Sequence, residues 1–398
     1  MSNEREREAM LRARAFIDKL TVDAPDGDPK AIVEDENRFF AWDNEHRSPK
    51  TGKTFLFDWS YYIGIVMEGL YYMYEAGAGT RYRDYAKRYL HAVETGGRLN
   101  RYAGYTPDHG VDCYKTASLL PFFMDEDAEL KELADALFDD LARKNARHTE
   151  DALGGNYWHV WRDEKPPRYR VWLDGLYMGG PVCAEFGKTF DRPEYFDLVA
   201  EQAILMGKHT RDPKTGLLYH AWDAEKRMPW ANPETGLSPE FWGRSIGWVG
   251  VAILDDLDFI PAEHPKAEEM RNIVRRLMKA IAPYQGADGR WYQVVDKPDG
   301  EGNWPENSCT SLFTAALCKG ARTGVLEPSV LERAQRGYDG VINSLKMDGD
   351  DLLIGDVCIG TGVGDYQHYI HRPTSVNDLH GVGAFLLMCA EAARAGLK

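Results

Sequence analysis

The sequence has little that would tie it to a metal, a membrane or a polyanion. Only six cysteines occur in 398 residues (Cys113, Cys183, Cys309, Cys318, Cys358 and Cys389), and no two form a CxxC pair. Such spacing supports neither a zinc site nor a disulfide framework. No HxxxH or HxH pair falls on a helical stretch, so neither a metal nor any other cofactor is expected. No run is long and apolar enough to span a bilayer. Basic residues are outnumbered, 48 against 63 acidic ones, for a net charge of −15. That balance argues against nucleic acid or an anionic membrane as a partner, yet leaves room for a small anion met by one local cation. The opening "MSNEREREAMLRARAFIDKL" reads as a charged amphipathic helix rather than a signal peptide, which points to a cytoplasmic protein with reduced thiols. Pro/Ser-rich linkers are lacking as well, so residues 1–398 are expected to form a single domain.

What is plentiful is aromatic side chains and helical periodicity. Eleven Trp and 21 Tyr suit a ligand with sugar rings to stack, and equally a large core with amphipathic rims. Helices are expected at 4–20, 59–77, 82–95, 112–124, 126–145, 171–188, 192–209, 239–257, 264–283, 306–322, 328–345 and 375–395. They alternate in character. Segments such as "IGIVMEGLYYMY", "GLYMGGPVCAEF" and "GVGAFLLMCAEAA" are apolar nearly all round, which requires burial on most sides. Between them lie amphipathic segments such as "PKAEEMRNIVRRLMKAI". Six buried helices alternating with six half-exposed ones predict an all-α fold, an (α/α)6 barrel. An α-solenoid is the alternative, but no short repeat supports it. Connections from an outer helix back to a buried one are long (146–170, 210–238, 284–305, 346–374) and carry strand and turn signals. Long aromatic loops on one rim build binding faces.

The starts of the buried helices share that rim: "DWSYYIG", "DHGVDCYK", "VWLDGLY", "FWGRSIGW", "PENSCTS" and "TSVNDLHG". Each carries an aromatic, a carboxylate, an arginine or a histidine. Capping explains Asp or Ser at one such start; six together ring the mouth of a cavity of sugar size. Asp174, beside Trp172 and Tyr177, reads as a catalytic acid whose proton affinity burial would raise, with Asp112 or Asp108 as a second carboxylate. The helix N-terminus acts in the opposite sense. His159, His220 and His380 fall at the same mouth. Arg244, between Trp242 and Trp248, requires a fixed anion, for which a substrate carboxylate is the natural candidate.

At "WLDGLYM", "LYHAWD" and "WGRSIGW", in this order, the sequence resembles the unsaturated rhamnogalacturonyl hydrolases, glycoside hydrolase family 105. The resemblance runs from "WSYYIG" to "NDLHGVGAFLLMCAEAA" and implies the same barrel. It implies that Asp174 is the acid/base and that Asp112, with Asp108 as the fallback, is the second aspartate. It places Tyr61, His159, Trp172, His220, Trp242, Arg244 and Trp248 on substrate-binding positions. One departure stands out: in "YWHV" Val160 replaces the usual lysine, and Arg162, Arg168 or Arg170 could take its place. The implied partner is an unsaturated di- or oligosaccharide left by a polysaccharide lyase. The implied reaction is hydration of its C4=C5 vinyl ether, with release of a galacturonyl or glucuronyl end. Rival readings are an unsaturated glucuronyl hydrolase for glycosaminoglycan, ulvan or gellan fragments, a sugar 2-epimerase using histidines, and a non-catalytic oligosaccharide-binding protein.

Overall fold

The structure is a computed structural model that describes residues 61–95, 111–144, 170–348 and 351–397. Six helical segments form its inner ring: α1 (Tyr61–Glu75), a 3₁₀ helix (Val111–Phe122), α4 (Asp174–Thr189), α6 (Gly243–Phe259), α8 (Asn307–Arg322) and α11 (Leu379–Ala395). Each packs on the next, and α11 closes back onto α1. Among the described residues the outer ring holds α2 (Thr80–Thr95), α3 (Ala128–Lys144), α5 (Glu194–Thr210), α7 (Ala267–Ile281) and α9 (Val330–Ser344). This is the (α/α)6 barrel, with the expected helix 4–20 lying outside the described residues.

The alternation in sequence follows from the two environments. Residues 175–187 of α4 and 243–256 of α6 are buried without a break, because an inner helix has neighbours on every side. In α7 burial instead follows Met270, Ile273, Val274, Leu277, Met278 and Ile281, one face of a helix of 3.6 residues per turn. Its outer face carries ion pairs such as Arg276–Glu269 at 2.6 Å, which contribute little at a solvated surface. Glycine lets inner helices approach closely. A Cβ on Gly64 would lie 2.6 Å from Thr116 Oγ1, and one on Gly383 would lie 2.4 Å from Ile65 Cγ2.

Two expectations change. The segment read as an α-helix over 112–124 is a 3₁₀ helix, Val111–Phe122, with Pro121, which has no N–H to donate, inside its last turn. The aromatic start at 171 is not helical: Arg170–Trp172 is a strand, β1, and α4 begins at Asp174. Strand β1 pairs antiparallel with β2 (Ala221–Asp223), with Trp172 opposite Ala221. The connection after α9 carries β3 (Lys346–Asp348), β4 (Asp351–Leu353), β5 (Val357–Cys358), a short helix α10 (Tyr366–Ile370) and β6 (Thr374–Ser375).

Candidate active site

Strand pairing assembles the centre of the site. Because Trp172 faces Ala221, residues 173 and 220 are brought side by side, and Leu173 N donates to the His220 carbonyl at 3.0 Å. One residue further on, Asp174 opens α4 with its side chain 13% exposed, and His220 Nε2 lies 3.0 Å from Asp174 Oδ2. His220 is fully buried, and its other nitrogen, Nδ1, lies 2.7 Å from the Tyr369 hydroxyl. Gly364 N donates to that hydroxyl oxygen at 3.3 Å. A phenol that accepts there is set to donate its own proton to Nδ1, which leaves Nε2–H to donate to Asp174. Tyr369, 149 residues from His220 in sequence, thereby fixes the histidine tautomer. Burial pushes the Tyr369 phenol well up, so it stays protonated.

Asp174 opens into a cavity of about 300 Å³. Around it the cavity wall includes Tyr61, Asp112, Trp172, Trp242, Arg244 and Trp248. Seven residues expected in the site thus share one wall, and His220 stands directly behind Asp174. His159, Asp108, Val160, Arg162 and Arg168 lie outside the described residues. Tyr177, expected to flank Asp174, points below the floor instead: its hydroxyl donates to Glu68 at 2.6 Å, and its ring stacks on Trp248 at 4.5 Å. It therefore supports the floor from beneath.

Tyr61 belongs to a second chain of hydrogen bonds. Its hydroxyl lies 2.7 Å from His380 Nε2, and His380 Nδ1 lies 2.6 Å from Asp378 Oδ1. Burial, and then the carboxylates of Asp112 and Asp174, push the Tyr61 phenol well up. Burial raises the Asp378 carboxyl too, but His380 and Arg244 outweigh it and hold it below its ordinary value. Asp378 also caps α11, accepting from His380 N at 3.0 Å. Glu306 caps α8, accepting from Cys309 N at 2.6 Å. Two of the carboxylates at inner-helix starts are therefore caps, whereas Asp112 and Asp174 face the cavity.

Arg244 is fully buried and its charge is answered by protein. Nη1 donates to the Cys358 carbonyl at 2.5 Å and to Ser308 Oγ at 3.3 Å, Nη2 donates to the Ile359 carbonyl at 2.9 Å, and Glu306 lies 3.9 Å away. Its guanidinium also covers the Trp242 ring at 4.7 Å. The fixed anion expected beside this cation is present in the protein as Glu306, and three protein acceptors stand around it as well.

Sequence reasoning missed Tyr369, Asp378, Glu306 and Arg372, and it gave His380 no defined role. Tyr369 and Arg372 belong to the connection after α9, Asp378 and Glu306 are helix caps, and His380 lies in the first turn of α11; at such positions no periodicity marks which side chain turns inward. Among the described residues no group of His, Cys, Asp and Glu is arranged to hold a metal ion, and no helix is long and apolar enough to cross a membrane.

Comparison with known proteins agrees with this fold. The family described as Glycosyl Hydrolase Family 88 matches residues 33–395. A solved family-105 glycoside hydrolase from C. acetobutylicum ATCC 824 superposes with a TM-score of 0.77 at 30% identity, covering 88% of this chain and 98% of that one. Protein Atu3128 of Agrobacterium fabrum is 32% identical over 230 residues, 54% of this chain and 98% of its own length. The unsaturated rhamnogalacturonyl hydrolase YesR of Bacillus subtilis is 25% identical over 194 residues, 49% of this chain and 51% of that protein. With a barrel closed around two cavity-facing aspartates and a match over nearly its whole length, the chain is a glycoside hydrolase and belongs to glycosyl hydrolase family 88, alongside its relatives of family 105.

Proposed function

We propose that the protein removes a 4,5-unsaturated galacturonyl or glucuronyl residue from the non-reducing end of lyase-generated oligosaccharides, with pectin-type fragments the first substrates to try. The observation that carries this reading is the chain Tyr369–His220–Asp174, which ends in a partly exposed carboxyl at the wall of a sugar-sized cavity. The name of the Bacillus subtilis relative supports the choice of substrate.

In the first step protonated Asp174 gives its proton to C4 of the vinyl ether, and positive charge develops at C5 and the ring oxygen. Water then adds to C5, and its proton returns to the Asp174 carboxylate. The C5–ring-oxygen bond of the hemiketal breaks, which leaves C1 as a hemiacetal, and its collapse releases the remaining sugar. One carboxyl serves as acid and then as base, so its proton affinity must lie near the working pH. A hydrogen bond from His220 Nε2–H stabilises the anionic form between the two steps. Asp112 acts as the second carboxylate, whose negative charge keeps Asp174 from ionising too readily. Trp172, Trp242 and Trp248 supply apolar ring faces, Tyr61 supplies a hydroxyl, and Arg244 supplies positive field. This differs from glycosidases whose two carboxylates flank C1.

The test is a panel of lyase-generated disaccharides from pectin, ulvan, gellan and glycosaminoglycans, followed by the ultraviolet absorbance of the conjugated C4=C5 bond. Loss of absorbance on the pectin-derived member supports the reading. Loss only on glycosaminoglycan fragments moves the substrate, and an unchanged chromophore throughout contradicts the reaction.

A further inference from the structure

We infer that Arg372, rather than Arg244, is the cation that receives the carboxylate of the substrate. The inference rests on the substrate class proposed above and names the group that recognises its charge. Arg244 and Arg372 are the two arginines on the cavity wall among the described residues. They differ in what they have left to give. Both N–H groups of Arg244 Nη1 and one of Nη2 are taken by protein acceptors, and Glu306 neutralises the charge. A guanidinium so committed holds the backbone in place and has little left for a ligand.

Arg372 follows α10, and its side chain is only half-buried. Its Nη2 donates to the Gly360 carbonyl. Successive carbonyls of one segment are thus held by the two arginines: Cys358 and Ile359 by Arg244, then Gly360 by Arg372. This anchors the Arg372 head group at the cavity wall, next to Gly360, Thr361 and Gly362. Its Nε is shielded from solvent and has no hydrogen-bond acceptor among the described residues. None of their carboxylates forms an ion pair with it, whereas Arg290, half-buried in a neighbouring connection, holds Asp288 at 2.9 Å and Asp356 at 2.8 Å. A charged fork held at the cavity wall, with no carboxylate partner among the described residues, is what a planar carboxylate completes.

The chemistry also suggests how such a contact would act. The carboxylate is attached to C5, where positive charge develops in the transition state. A cation beside it favours binding of the charged substrate and gives no extra help to that transition state. Arg372 is accordingly a binding residue, and its loss raises KM more than it lowers kcat.

The experiment measures binding by calorimetry in an Asp174→Asn background, so that turnover does not interfere. The ligands are the unsaturated galacturonyl disaccharide and its methyl ester, which has the same shape without the charge. Arg372→Gln is expected to weaken the acid about ten- to a hundredfold, the scale of a charge-assisted hydrogen bond. The ester should change less than about threefold, and Arg372→Lys should recover part of the loss for the acid. Equal weakening of acid and ester, or no weakening of either, overturns the assignment. So does an Arg244→Gln variant that folds and alone erases the preference for the acid. Should the wild-type protein leave the chromophore intact, the proposed reaction fails, while the difference between acid and ester still decides Arg372.

Discussion

At the scale of single residues, the site is organised by what stands behind the carboxyl. Asp174 alone would be an acid at a helix start, where the backbone N–H groups favour the anion. His220 adds a donor whose direction is set by Tyr369, itself held by Gly364 N. Removing the phenol should free the imidazole to change tautomer and weaken its hydrogen bond to the carboxylate. Tyr369→Phe is therefore expected to move the alkaline limb of the kcat/KM profile upward, since the acid form of Asp174 then persists to higher pH. Asp112→Asn should move the same limb toward acid, because a nearby negative charge no longer opposes ionisation. Opposite displacements in the two variants, read from full pH profiles, check the arrangement; parallel displacements would speak against it. Asp174 and its aromatic neighbours were legible in sequence because a carboxylate in an apolar run is conspicuous. Tyr369 was not, for its hydrogen bond to His220 is made across 149 residues and its ring meets Trp242 only in the fold.

At the scale of elements, the alternation of apolar and amphipathic helices was readable because burial on all sides and burial on one side leave different patterns. The short strands were not. A three-residue strand such as β1 or β2 has no room for an alternating pattern, yet the β1–β2 register is what sets His220 beside Asp174. The hairpin that follows β2 is tied by Gly236, which has φ +78° and accepts from Asp223 N at 2.8 Å. A Cβ there would lie 2.2 Å from the Asp223 carbonyl oxygen, so both the backbone angle and the space require glycine. Gly236→Ala is expected to lower stability by about 1–3 kcal/mol. It should also lower kcat by displacing β2 and with it His220. A thermal melt and a kcat measurement on the purified variant check this. Unchanged kcat with a lower Tm would separate the hairpin from the site.

At the scale of the whole molecule, the interior of the barrel below the site is ionic rather than purely apolar. Lys115 bridges to Glu68 at 2.8 Å, and Lys319 bridges to Asp255 at 2.6 Å, all four side chains being nearly or fully buried. Asp256, next in line, is fully buried, and neither of its oxygens has a hydrogen-bond partner among the described residues. Burial, and then Asp255, push its carboxyl well up; burial likewise raises Asp255 to about 6. A carboxyl raised in the folded state binds its proton more tightly there than in the unfolded chain. Its effect is to lower stability as pH rises from about 4, the unfolded value, until the folded group has ionised. Asp256→Asn removes that loss. The variant should gain Tm relative to wild type at pH 7 and gain less, or nothing, at pH 4, which a pair of melts will show. The central claim concerns the reaction, and one measurement meets it most directly: the initial rate at which saturating unsaturated galacturonyl disaccharide loses its C4=C5 absorbance, with wild type and with Asp174→Asn of verified fold. The account predicts rapid loss with wild type and a rate lower by at least ~10²-fold in the variant, the usual scale for a positioned acid/base. A folded Asp174→Asn protein that consumes the chromophore at nearly the wild-type rate would contradict it.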